Sequence, residues 1–245
     1  MESVPYRNTK LLVKTIPKGT LLFRLTKYPE NDTRGVPINE TTRCLTPQFK
    51  VFFYPNPFAA PLAFEKYLNE FDKNVYVYIL TKDIKVFYLL NPSPYTRRDK
   101  TQKRFFIKRC STVKRGCMPR EMNPYDACFS DTIIKKYPGV VGYIGNVWND
   151  SVSMKKNLSK PEKSKYRKYF QYAEDATKVK SVPELAIHPL VERPSKDVLV
   201  EENTPLDNSY KLFKKFNRND EKSIMTFMDK HTKFDPETFY YTYKA

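Results

Sequence analysis

Histidine, cysteine and glycine are all scarce in this chain, and each scarcity closes a route to function. Two histidines, His188 and His231, cannot furnish a histidine-rich metal centre. The four cysteines, Cys44, Cys110, Cys117 and Cys128, contain no C-x-x-C half-site, so buried free thiols are expected in place of structural zinc. So few thiols in 245 residues point to an intracellular setting, in cytoplasm, nucleus or virion. The six glycines make neither G-x-G-x-x-G nor G-x-x-x-x-G-K-[ST], which removes the dinucleotide-binding Rossmann crossover and the P-loop. Serine-histidine-aspartate catalysis has no nucleophile elbow to stand on. No apolar run reaches the roughly 18 residues of a membrane span, and the opening MESVPYRNTK lacks the apolar stretch of a secretory signal. No internal repeat of solenoid length is visible.

Positive charge and aromatic rings are plentiful. Lys and Arg number 44 against 27 Asp and Glu, a formal net charge of +17. Charge of this size predicts an acidic partner, nucleic acid or an anionic protein surface, against the plainer reading of a solvated basic exterior. With 40% hydrophobic and 15% aromatic residues the chain has the apolar surface to build a core. Abundant Phe, Tyr, Lys and Asn beside little glycine also fit an A/T-rich coding genome, such as that of a large DNA virus.

Punctuation by turn residues divides the chain. Residues 11–25 read as one or two short strands interrupted by Pro17-Lys18-Gly19. The second apolar run, TLLFRL, passes through Arg24, and a guanidinium in such a run needs an anionic or carboxylate partner or a solvated edge. FKVFFY over 49–54 is an aromatic strand. Asn56-Pro57 then caps an amphipathic helix expected over 58–71, with Ala60, Ala63, Phe64, Tyr67, Leu68 and Phe71 at helical spacing. VYVYIL and IKVFYLL are strands joined as a hairpin by Thr81-Lys82-Asp83. A basic loop over 91–103 and a helix over 123–136 follow, then GVVGYIGNVW, a basic solvated segment over 155–168, and the strand VPELAIHP. A polar linker over 193–207 precedes helices expected over 209–216 and 220–230. These segments predict an α+β domain over 1–195 and a helical C-terminal extension over 196–245.

Read in order, Phe23-Arg24, Leu45-Thr46-Pro47, FEKY, VYVYILTKDIKVFYLL, GVVGYIGNVW and PELAI resemble the ADP-ribosyltransferase fold, in the branch whose site is an arginine, a serine or threonine, and a glutamate. The likeness runs over residues 16–189, in element order more than in identity. It implies a split β-sheet core with flanking helices and NAD as the bound nucleotide. Arg24 is then the residue that holds a phosphate or ribose of NAD, and Thr46 braces the cleft. One of Phe52, Phe53 and Tyr54 flanks the nicotinamide ring. Glu184 bonds the nicotinamide ribose and stabilises the oxocarbenium-like charge that develops as nicotinamide leaves. The acceptor is a protein or a nucleic acid. Val182 stands where arginine-modifying members carry a second acidic residue, which argues against arginine as that acceptor.

Two other readings compete. One is a non-enzymatic basic virion or minor capsid protein that binds nucleic acid or an acidic assembly surface. The other is a nucleic-acid-binding module whose aromatics over 75–106 stack on bases, although most of those rings alternate in strands and belong in a core. On either, Arg24 and Glu184 are edge-strand residues and Thr46 a plain turn residue. The enzyme reading requires Arg24 and Glu184 to converge.

Overall fold

A computed structural model describes residues 2–6, 9–26, 51–88, 137, 139–147, 156–171, 182–187 and 209–244. Thr46, the four cysteines, the basic loop over 91–103, the helix expected over 123–136 and the linker over 193–207 lie outside the described residues. The fold is mixed α+β with two sheets. Eleven strands are described: β1 (Glu2–Tyr6), β2 (Thr9–Ile16), β3 (Thr20–Arg24), β4 (Val51–Phe53), β5 (Asn74–Leu80), β6 (Ile84–Tyr88), β7 (Val140–Val147), β8 (Val182–Ile187), β9 (Tyr210–Asn217), β10 (Thr232–Phe234) and β11 (Tyr241–Tyr243). Helices among the described residues include α1 (Ala59–Ala63), α2 (Glu221–His231) and two 3-10 helices, Glu65–Glu70 and Pro161–Tyr169. The first sheet runs β1-β2-β6-β7-β8-β4 and the second β10-β11-β3-β5-β9.

The hairpin expected at Thr81-Lys82-Asp83 does not form. β5 and β6 lie in different sheets, and so do β2 and β3. Instead β2 pairs with β6, Ile16 opposite Ile84, and β3 pairs with β5, Leu21 opposite Ile79. One antiparallel ladder therefore passes through both sheets and is creased where its turn residues sit. The two creases touch: the Gly19 N–H donates to Leu80 O at 2.9 Å and the Lys18 N–H to Asp83 Oδ1 at 2.7 Å. Strands that bend from one sheet into another make corners of this kind. Gly19 turns the corner at φ 84°, and a Cβ added there meets nothing within 4 Å. Gly19→Ala should then cost only the left-handed backbone, about 1 kcal/mol. A melting temperature roughly 2–4 °C lower is expected by calorimetry, and no change would contradict the corner.

This crease explains why TLLFR shows no polar alternation. Leu22, with Ile16, Phe53, Tyr78, Val86, Ile144 and Leu185, fills the space between the sheets. Leu21 and Phe23 point the other way and pack with Val75 and Val77 against Phe58, Tyr169, Phe227 and Met228 of the helical layer. A strand buried on both faces reads as a continuous apolar run.

The single helix expected over 58–71 is instead a five-residue α-helix followed by a 3-10 helix. The Phe64 N–H still closes over four residues to Ala60 O at 2.9 Å, and beyond it the bonds close over three, Tyr67 N–H to Phe64 O at 2.7 Å. Tyr67 consequently turns out to solvent, 58% exposed, while Phe64 and Phe71 pack 5.6 Å apart.

The basic run over 155–168 is also more than a solvated face. Three residues per turn align Lys163, Tyr166 and Tyr169 on the 3-10 helix Pro161–Tyr169. Lys163 pairs with Glu65, the Tyr166 hydroxyl bonds Glu221, and the Tyr169 hydroxyl donates to Asp229 Oδ1 at 3.0 Å. Phe58 packs on both tyrosine rings, at 4.5 Å and 4.9 Å. Burial, with the Asp229 carboxylate adding to it, pushes the Tyr169 phenol up to about 12. Burial works against ionised Glu221, but hydrogen bonds from Lys165 and Tyr166 outweigh it and hold that carboxyl below its ordinary range.

The C-terminal residues depart furthest from expectation. α2 forms as expected: Asp220 caps it by accepting the Ser223 N–H at 3.1 Å, and Ile224, Phe227 and Met228 are buried. Where a helix was expected over 209–216, the structure has β9 (Tyr210–Asn217), paired along its length with β5. β11 likewise pairs with β3. Described residues 209–244 therefore hold three strands and one helix, and all three strands belong to the second sheet.

Candidate active site

β4 is only three residues long, yet it joins the two sheets. At its end the Phe23 N–H donates to Tyr54 O at 3.2 Å and the Tyr54 N–H to Phe23 O at 2.7 Å, a single bridge to β3. Along its other edge β4 pairs with β8, Phe53 opposite Leu185 and Val51 opposite Ile187. β4 thus lies between the strand of Arg24 and the strand of Glu184. Two strand spacings separate those backbones, about 10 Å.

Arg24 ends β3, half-buried, opposite Tyr76 of β5. Its Nη1 donates to Phe52 O at 3.3 Å, which ties the guanidinium to β4 across the seam. A guanidinium carries five N–H donors in a fixed fork, the geometry that matches carboxylate and phosphate.

Glu184 is half-buried near the start of β8, opposite Gly145 of β7. Its charge reaches Tyr240, which is fully buried and donates its hydroxyl proton to Phe53 O at 3.1 Å. Burial first, and the Glu184 carboxylate second, hold the Tyr240 phenol well above its ordinary value. The phenol is neutral and serves as a hydrogen-bond donor.

The remaining nominated residues have other surroundings. Phe53 is fully buried, its ring edge-on to Tyr78 at 5.5 Å and to Tyr210 at 5.1 Å. Tyr54 is buried toward the helical layer, edge-on to Phe64 at 6.0 Å. Both rings are committed to the cores. Phe52, between them, is half-buried.

Tyr240 escaped the reading of the sequence. It is delivered by a tight turn in which Asp235 accepts from the Glu237 N–H at 2.9 Å and the Thr238 hydroxyl at 2.8 Å. The Asp235 N–H donates to Tyr240 O at 2.8 Å and the Phe239 N–H to Asp235 O at 2.8 Å, with Phe239 at φ 65°. An aromatic residue in the left-handed region is strained, and the wiring of the turn holds it there. Asp235-Pro236 was a legible turn signal. Which core the following tyrosine enters was not legible.

Among the described residues no three His, Cys, Asp or Glu side chains gather as a metal site, and no helix is long and apolar enough to cross a membrane. No family model matches the chain, and no curated protein or solved structure matches it either.

Proposed function

We propose that the chain binds NAD where β3, β4 and β8 meet and transfers ADP-ribose to a protein or nucleic-acid acceptor. One observation carries the reading. Arg24 and Glu184, far apart in sequence, flank one short strand at the seam where the two sheets join. The ADP-ribosyltransferase resemblance asks for a sheet split in this manner, with the arginine on one half and the glutamate on the other.

The donor set suits such a nucleotide. The Arg24 fork offers charge-assisted bonds to a phosphate, stronger than neutral ones. Glu184 supplies a carboxylate that acts on positive charge developing at the ribose carbon bonded to nicotinamide. Bound NAD would bring the good leaving group, and the chain contributes binding, orientation and that fixed charge. Tyr240 holds the β4 end of the seam through Phe53 O. Phe52, half-buried beside these groups, is the ring of the three with surface left to offer.

Titration calorimetry tests the reading directly. The wild-type chain should bind NAD, and Arg24→Ala should bind it roughly 10- to 100-fold more weakly, the loss of a hydrogen bond to a charged group. If the wild-type chain shows no NAD binding, the enzyme reading fails and the non-enzymatic basic protein takes its place.

A further inference from the structure

We propose that the outer edge of the second sheet, strand β9, is a docking surface for single-stranded nucleic acid, separate from the NAD site and not dependent on it. β9 closes the strand order of its sheet, and among the described residues no strand pairs with its outer edge. Five consecutive residues, Lys211, Leu212, Phe213, Lys214 and Lys215, are exposed there. Leu212 is 46% exposed and Phe213 37%.

The lysines flank this edge on both faces. Lys214 Nζ lies 4.8 Å from the Phe216 ring centre and 5.3 Å from that of Phe227, on the side of the helical layer. Lys215 Nζ lies 5.0 Å from the Tyr76 ring centre, on the side of the inter-sheet core. Among the described residues no carboxylate is within ion-pair reach of Lys211, Lys214 or Lys215. Some other lysines are matched: Lys85 with Glu2, Lys163 with Glu65, Lys165 with Glu221 and Lys168 with Asp229. Three unmatched lysines lie within five residues of this edge strand, around the exposed Leu212 and Phe213.

Lysines and a bulge on an edge strand are also devices that discourage edge-to-edge pairing. That account covers the charges and leaves the apolar pair unexplained. The ladder with β5 steps from Val77 opposite Lys214 to Tyr78 opposite Leu212, so Phe213 is the extra residue of the bulge. A bulge bends the edge and spoils it as a template for a polypeptide strand. The same bulge holds the Phe213 ring against Tyr243 at 4.9 Å, fixed and partly open. A fixed ring among lysines is what a nucleic-acid strand uses: phosphates meet the ammonium groups and a base stacks on the ring. Single strands fit better than duplex because only unpaired bases have a free face for stacking.

Fluorescence anisotropy of a labelled oligothymidylate of about 20 nucleotides, titrated with the full chain at several salt concentrations, tests the assignment. Binding should weaken steeply as salt rises. The double variant Lys214→Gln/Lys215→Gln should flatten the plot of log affinity against log salt by about 1.4, at about 0.7 per lost phosphate contact. Phe213→Ala should weaken binding roughly tenfold without changing that slope, and Phe213→Trp should restore it. Circular dichroism of each variant checks that the fold survives. Three results overturn the proposal: no binding at low salt, a slope untouched by the lysine changes, or equal affinity for duplex with no effect of Phe213→Ala.

Discussion

Glu184→Gln should lower the rate of NAD hydrolysis roughly 100-fold while leaving NAD affinity nearly unchanged. The substitution keeps the size of the side chain and its capacity to bond a ribose hydroxyl. It removes the negative charge, and that charge is most valuable when the ribose carbon becomes cationic, in the transition state alone. Position makes Glu184 the right carboxylate to test. It stands across β4 from Arg24, and its field is felt at the buried Tyr240 hydroxyl on the same seam. The loss should therefore appear in kcat, and equally in kcat/KM, with the calorimetric binding curve preserved. A loss confined to affinity would assign Glu184 to binding. An unchanged rate in a chain that hydrolyses NAD would remove it from the chemistry.

Phe227→Ala should destabilise the fold by about 3–5 kcal/mol. The ring is 5% exposed and lies 5.1 Å from Phe216, 5.9 Å from His231, 6.4 Å from Phe213 and 6.5 Å from Tyr243. It is the contact through which α2 grips β9 and β11 on the outer face of the second sheet. Alanine leaves a cavity ringed by aromatics, which cannot collapse onto it because each is held by its own strand or helix. The melting temperature should fall roughly 6–20 °C. A fall under about 3 °C would mean that α2 is not anchored through this ring.

Local chemistry in the sequence determined where elements begin and end. Pro17-Lys18-Gly19 and Thr81-Lys82-Asp83 interrupt apolar runs, and the strands stop at them. VVGYIG and PELAI became β7 and β8, and Asp220 with Ile224, Phe227 and Met228 became a capped, one-sided helix. Turn residues and side-chain period act within a few residues, so one sequence suffices to read them. Partners are another matter. Thr81-Lys82-Asp83 looks like a hairpin loop, but the edge that meets β5 is β3 and the edge that meets β6 is β2, so the turn became a sheet corner. Residues 210–217 carry lysines that suit a helix as well as a strand, and the open edge of β5 decided for a strand, because a ladder of hydrogen bonds outweighs propensity differences of a few tenths of a kcal/mol per residue. The candidate site divides in the same way. Arg24 and Glu184 stood out as charges inside apolar strands, a signal written in the sequence. That β4 would lie between them, and that a strained turn would bring Tyr240 to the same seam, depended on pairings between residues more than a hundred positions apart, which only the closed tertiary structure could choose.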